Sequence, residues 1–149
     1  MKYNLQSLHG SFQGDPIKIE ESSFNKAEVE ELDIFPNKCI ENSYKFAIAK
    51  NCKMVEGLLL VQIDGSIDSI EPHCWNIMCE RYYDTTIDKL IQTQKYQEKI
   101  GKKEVKYIYF QCVEYLPKDS GFQTDISIFY YNYDCLAKFI KSELEKNQE

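Results

Sequence analysis

The chain has 149 residues, 43% of them hydrophobic and 28% charged, with only 6 glycines and 4 prolines. Such a length and composition describe one folded domain and exclude a repeat array or a low-complexity polymer. A formal charge of -6 with no dense Lys/Arg cluster argues against nucleic acid as a partner, and no run approaches the ~20 apolar residues that a membrane span needs.

The first 35 residues are polar, with turn signals in HGSFQGDP and an acidic stretch, KAEVEELDIF, that predicts a short helix ahead of Pro36. No apolar export signal is read there. That predicts a cytoplasmic protein whose six cysteines (39, 52, 74, 79, 112 and 135) are free thiols rather than a disulfide framework. Ile40, Tyr44, Ala47 and Ile48 recur at helical spacing, so KCIENSYKFAIAKN predicts an amphipathic helix with Asn37 as N-cap and Cys39 in its first turn. KMVEGLLLVQIDG predicts a central strand ending in an Asp64-Gly65 turn. HCWNIM and RYYDTT predict two further strands joined tightly around Cys79-Glu80. Thr86 to Ile100 predicts a helix N-capped by Thr85, with Asp88 completing a capping box. EVKYIYFQCVEYLP alternates over its whole length and predicts a strand, with QTDISIFYY as its returning partner after a turn at Pro117 to Gly121. DCLAKFIKSELEK closes the chain as a helix with Leu136, Phe139, Ile140 and Leu144 on one face. The order predicts a single α+β domain over residues 1–149, helix first, then an antiparallel sheet with covering helices, because the tight turns leave no room for parallel crossovers.

Candidate chemistry centres on Cys39. A thiol attacks a carbonyl only as thiolate, and the first turn of a helix offers unpaired N–H groups and a partial positive charge that favour the anion and could also hold an oxyanion. Glu41 opposes that charge. A thiolate needs a base and acid partner, and the chain has two histidines, His9 in a glycine-containing loop and His73 at the start of a strand. Asp84 enters through parity: a hairpin loop of two or four residues puts His73, Trp75 and Asp84 on one face, and a loop of three puts them on opposite faces. The short Cys79-Glu80 loop predicts the first. Trp75 then becomes core or a wall that shields the imidazole from water. Cys74 and Cys79 do not make a metal site with His73, since neighbouring strand residues face opposite ways and no C-x-x-C pair exists. Glu56 and Gly57 interrupt an apolar strand, so a buried carboxylate needing a partner sits beside a place where another backbone or a substrate approaches closely.

Cysteine at a helix start, then His-x-Trp opening a strand, then Asp followed by x-Thr, here KCIENSYKFA, EPHCWNIM and YYDTT, resembles the transglutaminase-like branch of the papain-like cysteine enzymes. The likeness covers Asn37 to Thr86, about a third of the chain, and Thr85 stands where that family usually has proline. The resemblance implies a papain-like α+β scaffold with Cys39 as nucleophile, His73 as general base and then acid, and Asp84 orienting the imidazole. It also implies an amide substrate, peptide, protein side chain or small molecule, processed through a Cys39 thioester without metal or cofactor. Hydrolysis, deamidation and amine transfer share that intermediate. The glutamine that precedes the cysteine in papain and serves there as an oxyanion donor has no obvious counterpart, so Asn37 and Asn42 are the candidates, either of which could instead be a cap or a surface residue. The alternative from another class is a catalytically silent binding module that keeps the scaffold and holds a protein or peptide partner.

Overall fold

A computed structural model describes residues 17–27, 32–117 and 126–146, with side chains in the last segment from Tyr133 onward. The elements are β1 (Ile17–Glu20), a 3₁₀ turn (Glu21–Ser23), β2 (Phe24–Asn25), α1 (Cys39–Lys50), β3 (Lys53–Ile63), β4 (Ser66–Met78), β5 (Arg81–Tyr83), α2 (Thr85–Leu90), α3 (Gln94–Ile100), β6 (Val105–Tyr115) and α4 (Ile126–Lys146). The six strands form one sheet in the order β1-β6-β3-β4-β5-β2. This is an α+β architecture.

Two tight hairpins set the register. At Asp64-Gly65 and at Cys79-Glu80 both turn residues have positive φ (50° and 83°; 52° and 66°), the twist that suits a two-residue connection between antiparallel strands. The first turn pairs β3 with β4 from Ile63↔Ser66 to Lys53↔Ile77, with one bulge at Val61/Gln62. The second pairs Met78↔Arg81, Ile77↔Tyr82 and Asn76↔Tyr83, after which the chain leaves the sheet. Gly57 meets the expected close backbone approach, and the visitor is β6: a Cβ there would lie 1.9 Å from the Phe110 carbonyl oxygen. The register slips at Glu56/Gly57, which makes Cys112 the extra residue of a β6 bulge.

The sheet buries both faces. On one, Met54, Leu58, Leu60, Cys74 and Phe110 meet Phe46 and Ala47 of α1 and Tyr133, Leu136 and Ile140 of α4. On the other, Val55, Leu59, Trp75 and Tyr109 pack with Ile19 and Phe24, and Ile87 of α2 closes over them.

Several sequence expectations are corrected. The first helix begins at Cys39 after Lys38, which makes no side-chain cap, so Asn37 is not its N-cap; Asn51 closes it in the left-handed region. Thr86 to Ile100 divides into α2 and α3, because Thr93 bonds Leu90 O and then caps the next helix through Tyr96 N–H. The cap of α2 is Asp84, not Thr85, and Asp88 bonds Ala27 N–H at 2.7 Å instead of completing a capping box. QTDISIFYY is not a strand: from Ile126 on it is the start of α4, since Ile126, Phe129, Tyr130 and Tyr133 continue the helical period of Leu136 and Ile140. β6 pairs with β3 on one side and on the other with β1, whose polar surroundings concealed a four-residue edge strand. The sheet is not wholly antiparallel, since β2 joins β5 in parallel. Ala27 and residues 32–35 of the acidic stretch are not helical, residues 28–31 of it lie outside the described residues, and so does His9. No helix among the described residues is long and apolar enough to cross a membrane.

Candidate active site

The two-residue turn at Cys79-Glu80 decides the parity question. With Asn76 opposite Tyr83, Trp75 falls opposite Asp84, and His73, two residues along, shares that face. His73 Nε2 lies 2.7 Å from Asp84 Oδ2, both side chains being buried. The same carboxylate oxygen accepts the Tyr109 hydroxyl at 2.7 Å, and Oδ1 accepts Ile87 N–H at 3.1 Å. Asp84 therefore caps α2 and orients the imidazole at once, and three donors hold it in a single rotamer. Burial and the Asp84 carboxylate push the Tyr109 phenol well up, so it stays a donor.

Trp75 is fully buried behind this pair. Its ring stacks on the imidazole at 6.1 Å between centroids and meets Tyr109 edge-on at 5.0 Å. Phe24 stacks on Tyr109 at 4.0 Å and lies 6.5 Å from Trp75, so a three-ring aromatic cluster backs the histidine and carboxylate.

Cys39 opens α1, and its sulfur reaches both faces of β4. Hydrogen bonding from the Cys74 thiol, the His73 imidazole and the Cys74 backbone N–H, with the charge on His73, outweighs burial and brings Cys39 down to about 4. Burial and the proximity of Cys39 push Cys74 up, so of the two thiols Cys74 keeps its proton. Burial alone would lower His73, but the Asp84 charge and hydrogen bond, with Cys39 on the other side, raise it to about 10. With Nε2 committed to Asp84, Nδ1 is the nitrogen left for the sulfur. The opposite directions of these shifts favour the thiolate-imidazolium form of the pair, and the two groups titrate together. Glu41 is offset by Lys38 at 3.8 Å, so its charge costs the helix start little.

The first hydrogen bond of α1 runs from Asn42 N to Lys38 O at 2.9 Å, which leaves the N–H groups of Cys39, Ile40 and Glu41 without helical partners. Asn42 itself has no amide hydrogen to spare for an oxyanion. It is fully buried, donates to Phe35 O and to Thr86 Oγ1 (2.9 Å), and accepts Phe35 N–H at 3.0 Å, clipping the entry loop and α2 to α1. Asn37 is exposed and lines the cleft beside Cys39. Glu56 does not line that cleft. It lies on the other face beside Cys74, where Tyr115 and Tyr133 hydroxyls donate to it at 2.7 and 3.3 Å and burial raises its pKa.

The cleft is about 840 Å³ in volume. Its floor is the sheet face of Leu59, Val61 and Tyr107, its roof is α2 and α3, and Cys39 and His73 stand in its wall. All six cysteines are unpaired, and among the described residues no group of three His, Cys, Asp or Glu is placed to hold a metal ion.

Tyr109 and Cys74 are neighbours of this cluster whose contacts with it local sequence patterns did not reveal. Tyr109 comes from a strand 25 residues away in sequence from Asp84. Cys74 points away from His73 along β4 and meets Cys39 only because the sulfur sits at the strand edge. Neither a protein-family model, nor a curated protein, nor a solved structure matches this chain.

Proposed function

We propose that this protein is a cysteine-dependent amide-bond enzyme on a papain-like, transglutaminase-like scaffold. The observation that carries the reading is the buried 2.7 Å contact of His73 Nε2 with Asp84 Oδ2, on an imidazole that shares the wall of a cleft with a cysteine at a helix start. A structural cluster has no need for an ion pair of this polarity, since a neutral thiol packs at less cost.

In the proposed reaction the Cys39 thiolate adds to the amide carbonyl carbon, and the oxyanion is received by the unpaired N–H groups of the first turn of α1, including that of Cys39 itself. Collapse breaks the C–N bond as His73 Nδ1 gives its proton to the leaving nitrogen, which leaves a Cys39 thioester and a neutral imidazole. His73 then takes a proton from water or an amine, which adds to the thioester and releases the thiolate. Asp84 stays ionised throughout and stabilises the imidazolium. Hydrolysis, deamidation and amine transfer differ only in which nucleophile enters last and which nitrogen left.

The test is the order in which thiols react. Cys79 and Cys135 are exposed, whereas Cys39 is 5% exposed. Iodoacetamide at pH 6 with peptide mapping is expected to modify Cys39 first, and intact mass after incubation with a peptide-amide library is expected to show an acyl adduct absent from Cys39→Ala. Alkylation in order of exposure, with no adduct, would refute the enzyme and leave the binding module.

A further inference from the structure

The backbone of β4 has two edges with different fates. The inner edge pairs with β3 from Ser66 to Ile77. The outer edge pairs with β5 only at Asn76, Ile77 and Met78, and among the described residues no strand pairs with it before that.

The direction of each backbone group follows from the turn. In a hairpin with two turn residues the flanking pair, Met78 and Arg81, exchanges both hydrogen bonds, and so does the pair two residues on, Asn76 and Tyr83. Even-numbered residues of this half of β4 thus aim their N–H and C=O away from β3. Cys74 obeys the rule: Thr85 would be its partner, but the chain has turned into α2, and the Cys74 N–H goes to the Cys39 sulfur instead. Next outward come the Pro72 carbonyl and the Ile70 N–H and carbonyl. Pro72 fits here because a proline in a strand is tolerated where its missing N–H would face an open edge.

This edge opens into the cleft beside the nucleophile. The lining includes Ser69, Glu71 and His73 from one face of β4 and Pro72 from the other, so the strand's rim, and not only one face, meets the space. Across from it, Lys95 and Lys99 lie four residues apart on exposed positions of α3 and line the roof.

We propose that the outer edge of β4, from Ile70 to Cys74, is the substrate subsite of this enzyme, and that it takes an extended polypeptide segment as an added strand continuing the line of β5 to the Cys39 sulfur. The inference rests on Cys39 being the nucleophile. One residue of the segment exchanges two backbone hydrogen bonds with Ile70, and a second donates its N–H to Pro72 O. Added-strand recognition draws affinity from such bonds and selectivity from alternate side chains. Those on the His73 side lie between Glu71 of β4 and Lys95 and Lys99 of the roof, so a side chain of either sign has a counterion there. Small amides without an extended backbone use none of this.

The probe is acetyl-Ala-Glu-Ala chloromethyl ketone, compared with acetyl-Ala chloromethyl ketone and with the tripeptide N-methylated at one amide at a time. Each rate of Cys39 labelling is divided by that of iodoacetamide on the same sample. The tripeptide is expected to react well ahead of the single residue, and one N-methyl group to cost about tenfold while its neighbour costs little, the period of two expected of a strand. A flat N-methyl series, or no gain over the single residue, overturns the subsite. So does a concentration-dependent dimer whose dissociation speeds labelling, which would assign the edge to a second copy. Because the readout is a ratio, it does not depend on whether Cys39 is activated. Absolute iodoacetamide rates at pH 6 report failure of the enzyme reading separately.

Discussion

Replacing Cys74 by alanine removes the thiol that contributes most to holding Cys39 ionised, while His73, Asp84 and the β3–β4 ladder stay in place. A hydrogen bond to a charged acceptor is worth about 1.5–3 kcal/mol, and about 1.4 kcal/mol corresponds to one pKa unit, so ~1–2 units are at stake. The Cys39 midpoint, now about 4, is expected to rise by that amount in Cys74→Ala. Cys74→Ser keeps a hydroxyl donor and should hold it low. Cys74 is fully buried, so the alanine variant also loses about 1 kcal/mol of packing, which a thermal melt reads independently. The assay is the rate of Cys39 alkylation across pH, each variant scaled to its own alkaline plateau. Scaling matters because a thiolate of higher pKa is also the better nucleophile, which at a single pH would mask the shift. An alanine variant with an unmoved midpoint would refute the role of Cys74. So would alanine and serine variants that move together.

Tyr109→Phe strips one donor from Asp84 Oδ2 and leaves that oxygen to His73 alone, so the imidazolium is held more strongly; in the proposed reaction the alkaline limb, set by His73 near 10, should move up while KM holds, and a pH–rate profile reads it. Asn42→Leu keeps the branched shape but severs three hydrogen bonds and adds the bulk of two methyl groups, and urea unfolding should register a loss of about 3 kcal/mol or more. Gly57→Ala drives a Cβ into the Phe110 carbonyl and should cost about 2–3 kcal/mol or more in a thermal melt. The ion pair also shapes stability against pH. Cys39, depressed to about 4, contributes stability that is complete above the unfolded thiol value near 8.5 and lost as pH falls through 4. His73, raised to about 10, contributes stability that is complete below about 6.5 and lost as pH rises through 10. Between about 6.5 and 8.5 the folded and unfolded forms of the pair each bind one proton, so melting differences between the wild type and Cys39→Ala/His73→Gln should be flat there and shrink on both sides.

The parts of this protein that could be read from sequence are those governed by short range. The Cys79-Glu80 pair specified a turn length, the turn length a parity, and the parity the side on which His73, Trp75 and Asp84 meet. The helix start at Cys39 was equally local, since helical spacing begins there. Contacts made across the chain were not visible. Ile126 to Tyr131 has the β-branched and aromatic residues of a strand, and only its continuity with Tyr133, Leu136 and Ile140 makes it helical. Tyr109 alternates like every residue of β6, and nothing local marks it as the one whose hydroxyl meets Asp84. Asn42 read as a surface or oxyanion residue because its partners, Phe35 and Thr86, come together only in the fold.

The β4–β5 turn also limits how this gene can vary. Deleting or inserting one codon between Met78 and Arg81 would rotate Asp84 to the far side of the hairpin while leaving every other part of the protein translated unchanged. Two codons gained together restore the orientation, and the positive φ at both Cys79 and Glu80 leaves glycine, asparagine and aspartate as the substitutions most easily accepted there. Among descendants of this sequence, loop lengths at this point should therefore be even in every copy that keeps His73 against Asp84. Odd lengths should mark lineages in which the His73–Asp84 contact has been lost.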